Sequence, residues 1–425
     1  MAELPAMQLF RDVPVVPVPR ARGMVAMGGP IWPDFDTQVA ARHCRDGAPC
    51  DRAPRRPART RKLEEPAVWG GYLVRQFGHL ISEHLTRLPQ SLRDRPDDVY
   101  LFTVQHDDLF RALPGYIWEL LDWYGVRRDQ VRIVKRAWLV GELRVAAQGE
   151  MLGGIPTCTP FLELLEETAR RNRLVPEPHD VVFVTRAGLV PAGRGGHAGE
   201  AYLCALLEAQ GVKVVDPGKL SVQRQMELYA GAKALVFAEG SALHGRCVLG
   251  RIEQEIHVLR RRSMRNTARS LLSPRCSQLV YHQVLAGRLG TETDRRGSRQ
   301  DLEVALYDPE VLFAVFAQLG IDLRPVWQDE AYRAAVRSDL AAWVARIPTS
   351  AKQRGENLAM LADLGFASDF LPESPAPIPA TMPDLKGQTD GPVHPAEEFE
   401  DPHWQDLAEA RGQERAEVPD LPLEP

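Results

Sequence analysis

The stretch GHLISEHLTRL, residues 78–88, spaces His79, Glu83 and Arg87 at i, i+4 and i+8, on one face of any helix formed there. A histidine four residues from a glutamate can form a hydrogen-bonded pair suited to proton transfer. Glu83 ahead of Arg87 favours an ion pair, and taken alone a surface stripe of such pairs is the commoner outcome. A second stretch, KALVFAEGSALHG at 233–245, runs an apolar segment into Glu239, Gly240 and Ser241, with His244 one turn on. A glycine at a strand end lets backbone approach a ligand. Ser241 can cap the helix that follows, and free amides at a helix start attract phosphate. Arg186 and Arg194 stand on the loop after another apolar run, VVFVT at 181–185, and would add positive charge. Together these groups suit a diphosphate. They equally describe a capped helix after a buried strand, with solvated arginines nearby.

The elements that must position these residues alternate. Apolar residues at helical spacing predict a helix over about 76–93, and VYLFTV (99–104) reads as a buried strand. A helix over 107–124, despite Pro114, a strand over 132–140 and a helix over 159–173 follow, and the proline-broken RLVPEPHD (173–180) marks a domain boundary. Beyond it, strands at 181–185, 212–216, 233–238, 255–259 and 278–284 alternate with helices at 199–211 and 220–232. That order predicts a parallel sheet covered on both faces, with ligands at the strands' carboxyl ends: Thr185-Arg186, Asp216-Pro217 and Glu239-Gly240-Ser241. The expected division is a Pro/Arg-rich segment over 1–66, a looser α/β domain over 67–175 and a Rossmann-like domain over 176–285. A helical extension over 286–369 and an acidic, proline-rich, disordered tail over 370–425 complete it. In the first segment VPVVPV reads as extended and RAPRRPARTRK (52–62) as a solvated loop.

The chain has 425 residues, 44% hydrophobic, with a net charge of −5, which argues against a nucleic-acid partner. Six scattered cysteines with no Cys-x-x-Cys pair imply no disulfide framework. Cys44 and Cys50 with His43 fit no common metal spacing, so no metal is expected. No signal-peptide core and no apolar run near the ~20 residues of a membrane span are visible, and a reduced, cytoplasmic protein is expected. The arginine run leaves room for a peripheral contact with acidic lipid. Oligomeric state is open. The loop GRGGHAG (193–199), with Asp216 ending the next strand, offers a dinucleotide site as an alternative, although Gly199 falls one residue late for G-x-G-x-x-G.

Three pieces therefore occur in order: H-x3-E-x3-R-L, a strand ending in arginine before a glycine-rich loop, and Leu220-Ser221 with Gln225 on a helix before a strand ending in Gly-Ser-Ala-Leu-His. This order, over about 69–285, resembles glycosyltransferase family 61, including bacterial capsular-polysaccharide-type (DUF563-like) proteins. His79 and Glu83 match the family's first histidine and acid. Thr185-Arg186 match its Ser-Arg, Arg194 its second loop arginine, and Glu200 an acid at the next helix start. Gln225 matches its helix glutamine, and Gly240 to Leu243 its last signature. Glu239 stands where the family usually has histidine, and the asparagine before the first histidine is absent.

The resemblance implies a GT-B-like enzyme with two Rossmann-like domains facing a cleft, a nucleotide-sugar donor on the second and a glycan-type acceptor on the first. It implies inversion without a required metal or cofactor. The leaving diphosphate would be neutralised by Arg186, Arg194 and the helix start at Ser241. Glu83 is the first choice of base, with His79 orienting or replacing it. Glu239 would hold donor hydroxyls, and His244 would touch phosphate or buttress the turn. The other readings are a non-catalytic nucleotide-sugar or glycan-binding protein on the same fold, and an NAD-dependent oxidoreductase using the 193–199 loop.

Overall fold

A computed structural model describes residues 3–18, 28–45, 48–104, 109, 111–262, 266–291, 301–347 and 349–366. The expected tail, 370–425, lies outside the described residues. The fold is mixed α/β, built around two large sheets.

The second sheet follows the sequence pattern closely. Its five strands lie in the order Lys213–Val215, His179–Val184, Ala232–Ala238, Glu255–Leu259 and Gln278–His282, all parallel. Val182, Phe183, Leu235, Val236 and Phe237 are fully buried, as β-branched and aromatic residues in a doubly covered sheet must be. From His179–Val184 the chain first adds a strand on one side, then crosses to Ala232–Ala238 on the other. The switch point lies between these two strands, and the crevice at their carboxyl ends is flanked by Thr185-Arg186 and Glu239-Gly240.

The first sheet has seven strands. Trp138–Val145, Ala67–Leu73, Val99–Val104 and Val131–Ile133 run parallel along its middle and one side, and Arg61–Leu63 also pairs with Trp138–Val145. Gln8–Val16, which contains most of VPVVPV, adds an antiparallel strand against Trp138–Val145. The single strand expected over 132–140 is two strands, Val131–Ile133 and Trp138–Val145.

Three helical expectations change in detail. The helix expected from 107 begins at Gly115, because Pro114 takes its N-cap; residues 105–108 and 110 lie outside the described set. The helix expected over 76–93 is three pieces: Phe77–His79, a π turn over Leu80–His84 closed by Leu85 N–H on the Leu80 carbonyl at 2.9 Å, and Leu88–Asp94. The region 286–369 is not purely helical. Leu285–Leu289 and Val304–Tyr307 form a three-stranded sheet with Gly196–Ala198, followed by helices Pro309–Gln318, Asp329–Val344 and Ala351–Asp363. Phe316, Leu340 and Trp343 from this region share one buried cluster with Phe183, Val236 and Leu203, so it completes the core on one face of the second sheet.

The other face of the second sheet is bound to the first sheet through helices. One apolar cluster runs from Tyr100 and Phe102 through Leu80, Leu120, Leu165 and Met226 to Val182, Leu235 and Phe237. Two polar ties cross the same boundary. Arg275 Nη2 donates to both carboxylate oxygens of Glu150 at 2.8 Å. The carboxylate of Glu119 accepts from the amide of Val222, the first residue of helix Val222–Gly231, at 2.7 Å.

Candidate active site

The His79–Glu83 pair forms. His79 Nδ1 lies 2.5 Å from Glu83 Oε1, and the same oxygen accepts from Arg45 Nη2 at 2.6 Å. Arg45 Nη2 is also 3.0 Å from His79 Nδ1. An arginine has only donors. If Nδ1 accepted from Arg45, its lone pair would oppose a carboxylate oxygen at 2.5 Å, so the consistent arrangement has Nδ1–H donating to Glu83 and leaves Nε2 with the lone pair. Side-chain exposure divides the pair: 29% for His79 and 4% for Glu83. Burial alone would raise the Glu83 carboxyl, but the charge and hydrogen bond of His79, then the charge of Arg45, outweigh it and hold Glu83 well below the usual carboxylate range.

Arg45 reaches this site from the N-terminal segment. Gln148 holds it there: Oε1 accepts from the Cys44 amide at 2.7 Å, and Nε2 donates to the Glu83 carbonyl at 2.9 Å. Arg42 pairs with Asp51 at 2.8 Å beside it. The expected Glu83–Arg87 ion pair is replaced. The π turn and the break after His84 remove the i,i+4 register, and Arg87 donates to the carbonyls of Ala146 and Arg42.

His43, Glu83 and His84 offer ligand atoms within 4.8 Å of one another, the residue types of a metal site. Their geometry does not converge. The two imidazoles stack, centroids 4.7 Å apart and 8° from parallel, and lone pairs in parallel ring planes cannot meet at one ion. Burial holds His43 down at about 4 and His84 well below its ordinary value, so both rings are neutral packing groups. Cys50 donates to the His43 carbonyl at 3.5 Å, and burial pushes its thiol up to about 12, far from a ligating thiolate.

The second cluster lies at the switch-point crevice. Arg186 is placed by Glu200, whose Oε1 accepts from both the Arg186 amide and Thr185 Oγ1 at 2.6 Å. Its guanidinium donates to the Gly195 carbonyl at 3.1 Å and lies over Gly240, where a Cβ would stand 1.8 Å from Nη1. The absent side chain at Gly240 is therefore what makes room for Arg186. Arg194 lies on the same loop, half-buried, its amide on the Leu189 carbonyl at 2.9 Å.

Three further expectations are corrected here. Glu239 is fully buried and its carboxylate is engaged by protein donors. Oε2 accepts from the amides of Arg261 and Arg262 at 2.7 and 3.0 Å, and Oε1 from Thr267 Oγ1 at 2.7 Å, so this acid clamps the loop after strand Glu255–Leu259. Gln225 does the same for another loop, donating to the carbonyls of Pro217 and Leu220. Ser241 makes no side-chain cap bond, and the helix after it, Ala242–Gly245, is a single turn with little macrodipole. The dinucleotide alternative loses its geometry as well. Gly196–Ala198 is a strand paired with Val304–Tyr307, not a tight strand-to-helix turn, and Asp216 is turned onto the Gly218 amide at 3.0 Å.

The two clusters meet. A Cβ on Gly78 would stand 2.9 Å from His244 Cδ2 and 3.5 Å from the Ser241 Cβ, so the turn bearing His79 rests on the turn bearing Ser241 and His244. Sequence reasoning missed Arg45, Arg261 and Arg262. The signal for the last two was the run Arg260-Arg261-Arg262 directly after the strand EIHVL, at a carboxyl end of the sheet. Arg261 comes so close to Gly195 that a Cβ there would stand 2.5 Å from its Nη1, which brings it to the residue whose carbonyl Arg186 holds.

Among the described residues no helix is long and apolar enough to cross a membrane. No curated protein matches the chain. A family model does match, over a shorter span than the 69–285 of the motif resemblance but one containing His79, Glu83, Arg186, Gly240 and Ser241: residues 77–249 match Glycosyltransferase 61, which bears out the family resemblance across this segment.

Proposed function

We propose that the protein is an inverting, metal-independent glycosyltransferase that moves a sugar from a nucleoside-diphosphate donor to a hydroxyl of a glycan-type acceptor in polysaccharide biosynthesis. The observation that carries this is the contact of the His79 turn with the Ser241–His244 turn, beside Arg186 in the switch-point crevice. The proposed proton acceptor is thereby brought to the strand end that Arg186 covers. On this reading the second sheet holds the donor and the first half of the chain holds the acceptor, in a GT-B-like arrangement.

His79 Nε2 takes the proton of the acceptor hydroxyl, and Glu83, through Nδ1–H, orients the ring and stabilises the imidazolium. This reverses the order expected from the sequence, because a buried carboxylate held far below its usual range is a weak base. The acceptor oxygen forms its bond to the anomeric carbon as the bond from that carbon to the diphosphate breaks on the opposite face. Arg186, with Arg194 and His244 nearby, takes up the charge that develops on the leaving diphosphate. Glu239 contributes by holding the Arg261–Arg262 loop, with Arg261 against Gly195.

The test is a thermal-shift screen with UDP, GDP, CDP and ADP, with and without EDTA. One nucleoside diphosphate should raise the melting temperature, EDTA should leave the shift unchanged, and Arg186→Ala should remove it. No shift with any of the four in well-folded protein would overturn the proposal.

A further inference from the structure

We infer that Arg45, delivered by the N-terminal segment outside the family match, is a positioning residue that fixes which nitrogen of His79 is free. This inference rests on the base role of His79 proposed above.

Glu83 is buried, and a buried carboxyl paired with a single imidazole can hold the shared proton itself. That state takes up one more proton from solvent: the neutral acid donates to Nδ1, the other ring nitrogen carries the second hydrogen, and Nε2 is no longer a base. Arg45 blocks this arrangement. Its Nη2 donates to the same carboxylate oxygen at 2.6 Å, which adds to the hold of His79 in keeping Glu83 ionised and leaves Nδ1–H as the other donor to that oxygen. The guanidinium lies 3.0 Å from Nδ1 and so stands against both members of the pair. The other charged or titratable groups around the pair are engaged elsewhere. His43 and His84 are stacked neutral rings, Arg87 is spent on carbonyls, Arg42 is paired with Asp51, and His244 meets the turn at Gly78.

The position of Arg45 is built. It lies in the strand pair Cys44–Arg45 with Ala48–Pro49, and Gln148 ties the adjacent amide to the Glu83 carbonyl. Its side chain is 13% exposed. The N-terminal segment thus completes the His79–Glu83 pair, which lies within residues 77–249.

The experiment is 15N NMR of protein labelled at its histidine rings, with His79 assigned by His79→Gln. It reads the tautomer directly and needs no transfer activity. Wild type should show the Nδ1–H tautomer for His79, and Arg45→Gln should show loss of that single tautomer, restored in Arg45→Lys. Where transfer is measurable, Arg45→Gln should lower the transfer rate with nucleoside-diphosphate affinity unchanged, and Arg45→Lys should restore it. An Nε2–H tautomer in wild type overturns the inference without any variant. An unchanged tautomer in folded Arg45→Gln overturns it as well. If the tautomer responds as expected in a protein without transfer activity, the positioning role stands and the transferase reading fails.

Discussion

Gly240→Ala separates the fold from the proposed donor contact. The new Cβ would stand 1.8 Å from Arg186 Nη1, 2.5 Å from Cζ and 2.9 Å from Cδ. All three atoms belong to the far part of a flexible side chain, so the chain can yield by moving the guanidinium. The expected loss of stability is at the low end for overpacking, about 1 kcal/mol. The Glu200 bonds to Thr185 and to the Arg186 amide remain, so the backbone of the loop keeps its place. The guanidinium must leave the Gly195 carbonyl and the crevice. If it contacts the donor's phosphate, losing one charged hydrogen bond costs about 1.5–3 kcal/mol, a fall in affinity of about 10- to 150-fold. Calorimetric titration with the nucleoside diphosphate found in the screen, beside urea denaturation, reads both quantities. Gly141→Ala, whose Cβ would meet nothing within 4 Å, is the control. Wild-type affinity in Gly240→Ala would refute the placement of phosphate beside Arg186.

Other consequences concern the frame around the site. Glu150→Ala leaves Arg275 buried without its carboxylate and should cost about 3–5 kcal/mol, measured by denaturant melts. His43 is held at about 4 when folded against 6.5 ordinarily. Between those values the unfolded chain binds a proton that the folded one does not, so stability should fall as pH drops from 6.5 to 4, by roughly 3 kcal/mol. His43→Phe should flatten that slope in melts taken across the window. Gly78→Ala pushes on His244 and shifts the two turns apart, so the transfer rate should fall by about a hundredfold while nucleoside-diphosphate affinity falls far less.

What could be read from the sequence was set by how local its causes are. The five parallel strands of the second sheet were legible because each centres on a short run rich in apolar and β-branched residues, set between helical or turn segments. The His79–Glu83 pair was legible because i,i+4 neighbours stay close even across a π turn. Arg87 was misassigned because the same turn destroys the next register step. Arg45 was invisible for a different reason: it lies 38 positions from Glu83, in a segment that reads only as rich in proline and arginine. Glu239 shows the limit of motif reading. An acid at a strand end suits a ligand hydroxyl, yet the amides of the next strand's loop lay closer and took both oxygens, with Thr267. The strands after 284 were hidden in short, mixed-polarity segments whose partner, Gly196–Ala198, lies inside what reads as a glycine-rich loop.

The central claim is that His79 accepts the proton in a transfer whose donor sits beside Arg186. The most direct measurement compares His79→Ala with wild type in donor affinity and in transfer rate, using the donor class named by the screen. The account predicts donor affinity within about twofold of wild type and a transfer rate lower by about 10²–10⁴-fold. Transfer by His79→Ala at the wild-type rate would contradict it.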